Sequence, residues 1–574
     1  MKYHFTFPDR VSRFAKIELS VDGLDGEEVE FCLPSWRPGR YELGNFAKNI
    51  RSWKALGDDG HPLPFRKKSK DVWIVSLGGS KSVKVRYDYY CAQPDAGACW
   101  IDEELVYINP IHCCLYLPER MHEPCIVHLA LPEDYSVACS LDSPSHGIFH
   151  AVDFHELVDS PWMASATLQT NSYELAGIQF HIWFHGNISP DWDKILHDFR
   201  RFTEVQLQTM GGFPVKNYHF LVLALPFRFY HGVEHLRSTV LALGPAEKLM
   251  ESPLYDDFTG VASHELFHVW NIKSIRPAEM LPYDYSVENY SRLGYVYEGV
   301  TTYYGDLFLV RCGVYSHAQY FDELNVRLQR HFDSHARFHL PVADASFDTW
   351  LDGYVSGIPH RKTSIYDEGS LVALMTDLFI RRATSGKASL DDVMLVLYED
   401  FGKRKIGYSE SDYIAIVERV CGQSMSDFFV DYVYGTENYE TLFVELLDEV
   451  GCDLVRKPSL KSNENKFGFR VTSEGSITRV TSVLPGSLAE HAGVGKEDEI
   501  VAVNGIKVES NLHELLSGDD GRPEVVTLMT PMKKLKDVVL TPGLSAYYHR
   551  YSICPRAYMS DIQRAFFESW LGNN

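Results

Sequence analysis

The sequence predicts a multidomain α+β protein: an N-terminal antiparallel β-sandwich, a mixed α+β region ending in a helical lobe, and a small β-rich unit near the C-terminus. Three observations predict it. The chain has 574 residues, more than one core organises, so three or four domains are expected. Residues 1–171 repeatedly alternate apolar and polar side chains, the period of a half-buried strand. Beyond 172, strands mix with helical spacing, and beyond 457 the β pattern returns.

The elements follow in order. "SVKVRYDYY" (82–90) puts Val83, Val85, Tyr87 and Tyr89 on one face and Lys84, Arg86 and Asp88 on the other. "AKIELSVD", "EVEFCLP", "DVWIVSL" and "CIVHLALP" behave alike between Gly, Pro and Asp turns. "PSWRPGRYELGNF" (34–46) is an unusual loop whose Pro and Gly fit turn chemistry as well as function. "FHIWFHG" and "YHFLVLALP" read as strands and residues 191–210 as a helix. From 314 the chain is mostly helical, through "HAQYFDELNVRLQRHF", "EGSLVALMTDLFIRRATSG", "LDDVMLVLYEDFG" and "DYIAIVERVCG". "KPSLKSNENK" (457–466) reads as a polar linker, and "SDIQRAFFESWLGNN" as a short tail.

Composition narrows the function. Apolar content of 45% and aromatic content of 13% suit large cores and argue against disorder. The 78 Asp and Glu against 55 Lys and Arg give a net charge of −23, which disfavours nucleic acid and anionic membranes as partners. No secretory signal core is visible, and runs such as "FLVLALPF" (220–227) are too short to cross a bilayer. The eleven cysteines are scattered without a CxxC pair, so neither a disulfide framework nor a cysteine zinc site is suggested. A cytoplasmic protein is expected.

The stretch that carries chemistry is "HELFHVWN" (264–271). On a helix, His264 and His268 share a face and can hold one ion. Glu265, turned about 100° from His264, can reach a water on that ion without being a ligand. "TGVASHELFHVWNIKSI" (259–275) has no interior proline, so a helix closed by Pro277 is expected. The same pattern also arises by chance in an ordinary helix. A catalytic zinc needs a third protein ligand. Glu298 in "YEGVTTYYGDLFLVRCG" (297–313) is the candidate, on a second helix ending at Gly313; by itself it reads better as a surface carboxylate on an amphipathic helix. Gly294, Gly299 and Gly305 each cost that helix about 1 kcal/mol relative to Ala, which a close approach to another element would justify.

"HELFHVWNIKSIRP" followed by "LPYDYSVENYSRLGYVYEGVTTYYGDLFLVRCGV" resembles the core of the glycyl aminopeptidase family with a PDZ domain, gluzincin metallopeptidases related to thermolysin and aminopeptidase N. "PSWRPGRYELGNFAKNI", "HGVEHLRST" (231–239) and "SIYDEGSLVALMTDLFIR" (364–381) extend the resemblance in the family's order. Two departures are visible: Ser274 stands where a basic residue is expected, and "GYVYEG" replaces an LW-type pattern. The resemblance implies an N-terminal domain over 1–171, a thermolysin-like catalytic domain over 172–313, a helical lobe completing it over 314–456, a PDZ-like domain over 457–545 and a tail over 546–574. It implies one Zn²⁺ per chain on His264, His268 and Glu298, with Glu265 as general base and Tyr366 as donor to the carbonyl oxygen. It places Glu234, with Gly232, on a strand edge that holds the substrate's α-amino group.

"VLPGSLAEHAGVGKEDEIVAVNG" (483–505) resembles a PDZ core, and "KFGFRVTS" (466–473) its carboxylate loop. The amides of Phe467, Gly468 and Phe469 would then hold a peptide C-terminus beside "NLHELLS" (511–517); a groove blocked by the chain itself is the competing expectation. The leading reading is a zinc aminopeptidase acting on peptides with N-terminal Gly or Ala. A zinc endopeptidase, and a peptide-binding scaffold with a lapsed catalytic domain, stand as alternatives.

Overall fold

The structure is a computed structural model and describes residues 1–518, 521–543 and 546–572. Residue 545, where the expected PDZ-like segment closes, and residues 573–574 of the tail lie outside the described residues.

The N-terminal region is built on an eight-stranded sheet. Phe14–Asp22 and Ser82–Tyr90 lie near its centre, with Ile17 opposite Tyr87 and Leu19 opposite Val85. Val83, Val85, Tyr87 and Tyr89 are all buried, so the alternation is that of a strand with one face in the core. The sheet is not wholly antiparallel. Lys2–Thr6 runs parallel to Cys125–Ala130, which the alternation could not reveal because it reports which face is buried and not strand direction. A three-stranded and a four-stranded sheet pack on it through edge-on and stacked aromatics, Phe31–Trp53, Trp53–Trp73 and Phe5–Trp162 among them.

A five-stranded sheet follows, in the order Gln169–Leu175, Ile178–His185, Asn217–Ala224, Ser238–Gly244, Phe229–Glu234. The expected division at 171/172 falls inside its first strand. Ala176 and Gly177 both have positive φ (53° and 77°) and form the tight hairpin that returns this strand antiparallel onto Ile178–His185. Phe229–Glu234 is the antiparallel edge strand, and Glu234 is its last residue.

The helix carrying His264 spans Leu254–Phe267 and ends at His268, short of Pro277. Val269 and Trp270 bond the carbonyls three residues back, and Ile272 takes φ 114°, which ends α geometry. His268 keeps helical dihedrals (−59°, −19°), so the two histidines still share a face. A single π turn, Tyr295–Val300, leads into the helix Thr301–Arg311.

The expected linker at 457–466 is also corrected. Cys452–Pro458 is a strand, and its partner is His549–Pro555 from the far side of the PDZ-like unit. That unit has its own sheet and a separate hydrophobic core around Phe467, Val480, Ile500, Val526 and Leu528. The tail then returns to the catalytic region. Helix Asp561–Leu571 buries Trp570 and Leu571 completely, and the Trp570 indole donates to the Tyr303 hydroxyl at 2.9 Å. No helix among the described residues is long and apolar enough to cross a membrane.

Candidate metal centre

The last turn of Leu254–Phe267 presents His264, and the residue that closes the helix presents His268; their Nε2 atoms lie 3.0 Å apart. His268 Nδ1 sits 2.7 Å from the Asn271 carbonyl, which can only accept. That bond places the proton on Nδ1 and leaves Nε2 facing the cluster. Glu298 Oε2 lies 3.4 Å from His268 Nε2 and 3.9 Å from His264 Nε2. The π turn points Glu298 inward, and the Asn271 side chain ties it to the metal helix by donating to the Val296 carbonyl (2.9 Å) and the Thr301 hydroxyl (3.0 Å).

The glycines have the explanation their cost requires. A Cβ at Gly299 would lie 2.4 Å from Gly369 Cα on the helix Asp367–Ala383, and one at Gly305 would press on His264 at 3.1 Å. Gly294 abuts Ser346. Close helix contact, not loop flexibility, sets these positions.

The donor set fits zinc. The ligand atoms of His264, His268 and Glu298 lie within 4.8 Å of one another, two imidazoles and a carboxylate as in open catalytic sites. Two further carboxylate oxygens, Glu265 Oε2 and Glu234 Oε1, are buried beside them without a hydrogen-bond partner. The electrostatics favour positive charge at the centre. Burial, which lowers the His268 imidazole, is outweighed by Glu298, Glu234 and Glu265, and the group is pushed up to about 10. His264 is driven well down by burial and by His268. Burial pushes the Glu265 carboxyl well up; Glu234 and Glu298 add to this while His268 opposes it.

A cleft of about 420 Å³ opens on this cluster, and His264, Glu265, Gly232 and Tyr366 line it. Gly232 lies under Glu265, where a Cβ would sit 2.2 Å from Oε1. Glu234 is only 3% exposed; its carboxylate, Glu265 and His268 form a second group with ligand atoms within 4.8 Å. Tyr366 immediately precedes Asp367–Ala383 and lines the cleft with Tyr354. Burial and then Glu298 hold its phenol well above the usual range, so it is a donor.

Three residues at this centre, Gly39, Tyr41 and Asn271, escaped the sequence reading. Asn271 closes the HELFHVWN stretch itself. Gly39 (φ 77°) packs against Glu234, where a Cβ would lie 2.3 Å from Oε2. The Tyr41 hydroxyl donates to Glu298 Oε1 at 3.3 Å, and its backbone N–H donates to the Tyr354 hydroxyl at 3.0 Å. Gly39 and Tyr41 come from the loop at 34–46, whose odd composition was the available signal.

At the loop of the PDZ-like groove, one of the three expected amides is already engaged. The Gly468 amide is already bonded to the Asn463 carbonyl, and the Phe467 and Phe469 side chains are fully buried. Asn463 donates to the Phe469 carbonyl at 2.9 Å, the Ser462 amide donates to His513 at 2.8 Å, and the Tyr547 ring lies over Gly468. At Gly468 the chain's own segments occupy the position where a peptide C-terminus was expected.

Three family models match in succession: the Peptidase M61 N-terminal domain over residues 2–166, the M61 glycyl aminopeptidase over 257–372, and a PDZ domain over 479–528. Among solved structures, the chain is similar to an aminopeptidase N family protein from Idiomarina loihiensis, with 25% identity, 99% of each chain covered and a TM-score of 0.89. It has a weaker likeness to an M1 zinc metallopeptidase from Deinococcus radiodurans, with 14% identity, 73% of this chain and 90% of that one covered, and a TM-score of 0.43. No curated protein matches.

Proposed function

We propose that this chain, a zinc metallopeptidase matched by Peptidase M61 models over residues 2–166 and 257–372, removes single small residues, glycine and alanine, from the N-termini of peptides. One zinc, held by His264, His268 and Glu298, would supply Lewis acidity toward the scissile carbonyl and toward water.

The other roles belong to side chains. Glu265 takes the proton of the attacking water and later passes it to the leaving amine. Its burial among carboxylates raises its proton affinity, which suits a group that must hold a proton between the two steps. Tyr366 lines the same cleft with a protonated hydroxyl and donates to the carbonyl oxygen as charge develops there. Glu234 holds the substrate's α-ammonium.

The observation that carries the aminopeptidase reading is the Glu234 carboxylate. One of its oxygens is buried without a partner, and the group lies beside Glu265 and His268. An unpaired buried carboxylate is costly unless a cation answers it, and a peptide α-amino group is largely protonated at neutral pH. Gly39 packs against that carboxylate, where a Cβ would lie 2.3 Å from Oε2, so the backbone approaches Glu234 closely on that side.

The test pairs free and N-acetylated Gly- and Ala-initiated peptides with the zinc-loaded protein. The acetylated peptides should resist. A charge-assisted hydrogen bond contributes about 1.5–3 kcal/mol, so Glu234→Ala should lose roughly 10- to 100-fold in kcat/KM on free peptides while zinc stays bound. Equal cleavage of free and blocked peptides by wild type would remove the aminopeptidase reading.

A further inference from the structure

We propose that Tyr41, supplied by the N-terminal domain, is a positioning residue of the metal centre: it holds one oxygen of Glu298 and thereby reserves the other for zinc. The inference rests on Glu298 being a ligand, as read above.

The two carboxylate oxygens of Glu298 have different surroundings. Oε2 faces the imidazoles, 3.4 Å from His268 and 3.9 Å from His264. Oε1 points the other way and accepts from the Tyr41 hydroxyl at 3.3 Å. Glu298 is 2% exposed, so water is not at hand to solvate Oε1 if the phenol is removed. A carboxylate in that position can turn and offer both oxygens to a cation or leave it. A single fixed donor decides between these, and such outer partners matter nearly as much as the ligands they hold.

Tyr41 is itself held rigidly. It is completely buried, its ring lies against Tyr297 and Trp350 (centroids 5.2 and 5.9 Å), and its N–H bonds the Tyr354 hydroxyl. The loop before it is pinned to the catalytic region at two points, through the Ser35 amide to the Tyr285 carbonyl and through the Trp36 indole to the Asp284 carbonyl, both 2.8 Å. Tyr354 and Tyr366 line the same cleft. One loop thus reaches Glu298 directly and, through the Tyr354 hydroxyl, a second side chain of the cleft that Tyr366 lines. The N-terminal domain completes the site and is more than a support for it.

The experiment uses the full-length protein carrying Tyr41→Phe, which removes one oxygen and keeps the ring. Zinc affinity is measured by competition with a chelator, and the Co²⁺-substituted protein is compared with wild type by visible absorption, a readout that a packing role would not move. Zinc binding should weaken about 10- to 100-fold, and the Co²⁺ spectrum should change as the carboxylate alters its mode of binding. Tyr354→Phe, which removes the acceptor of the Tyr41 amide, should move both readouts in the same direction by less, and it decides the matter if Tyr41→Phe fails to fold. Glu298→Gln is the control. If it binds zinc as wild type does, the reading of Glu298 as a ligand fails. If it loses zinc while the tyrosine variants keep wild-type affinity and spectrum, the role given to Tyr41 fails.

Discussion

The C-terminal helix should be part of the catalytic fold, and Trp570→Ala measures how much. Trp570 is completely buried, packs edge-on against Tyr320 and Phe321 (centroids 5.8 and 6.1 Å), and donates to the Tyr303 hydroxyl. A buried Trp removes about 150–250 Å² from water, which at about 25 cal/mol/Å² is roughly 4–6 kcal/mol, of which alanine retains a part. Its lost hydrogen bond adds about 1 kcal/mol, while Tyr303 keeps Asp377 as acceptor at 2.6 Å. The expected loss is about 4 kcal/mol, within the range seen for large aromatics cut to alanine. For a unit of this size that is on the order of 10 °C in the melting temperature. The assay is thermal unfolding of the zinc-loaded full chain, following the transition at which peptidase activity is lost, since several domains melt in one scan. A chain ending at residue 456 lacks this helix and the strand His549–Pro555, and it should not reach the native catalytic fold. Pro458 and His549 are direct partners in the ladder, so replacing residues 459–548 by a two-residue Asn-Gly turn should preserve folding, zinc and activity. A Trp570→Ala shift below about 2 °C, or a native and active 1–456 fragment, would refute the reasoning.

Three further outcomes are expected. Glu265→Gln should keep zinc, checked by metal analysis, and lose nearly all turnover; loss of the metal would make Glu265 a ligand. Tyr366→Phe should lower kcat and kcat/KM together by about 10²- to 10³-fold with zinc unchanged, the signature of a donor used when the carbonyl oxygen becomes charged. Asp159→Asn should destabilise by about 3 kcal/mol in chemical unfolding near pH 7, because it leaves Lys273, bonded to Asp159 at 2.6 Å with its side chain 2% exposed, buried without its counter-charge. Burial raises the Asp159 carboxyl, but Lys273 and His235 outweigh it and hold the group below the ordinary value. Its contribution is therefore present above the unfolded carboxyl's pKa of about 3.9 and fades as pH falls through the folded value. The gap between wild type and variant should shrink below about pH 4; a gap that widens in acid would contradict the assignment.

What the sequence made legible was what neighbouring residues determine. Alternation in residues 82–90 reports a face, and the face is buried as read. The spacing of His264 and His268 survives although the helix stops at His268, because only that residue's own dihedrals must remain helical. The glycines at 294, 299 and 305 announced close contacts without naming the partners. The failures share a cause. Lys2–Thr6 pairs in parallel across more than a hundred residues, and Cys452–Pro458 takes its partner from beyond an entire inserted unit. Neither pairing leaves a local trace, so Lys457 and Pro458 looked like linker when they were strand.

The same distinction separates the parts of the active site. Its proposed metal ligands and base come from one helix and the π turn that leads into the next, so their residue types and order announce the chemistry. The groups around them arrive from elsewhere. Tyr41 reaches Glu298 across 257 positions, and Gly39 meets Glu234 from a loop whose Pro and Gly had an adequate explanation in turns alone. A buried carboxylate needs donors at both oxygens, and that need was inferable once Glu298 was taken as a ligand. Which of 33 tyrosines answers it was not. The identity of such a donor depends on how two domains dock, and docking is fixed here by Ser35, Trp36 and their contacts to residues 284–285. The loop at 34–46 is unusual in composition because it must satisfy this docking, the Glu298 carboxylate and the Glu234 carboxylate at once.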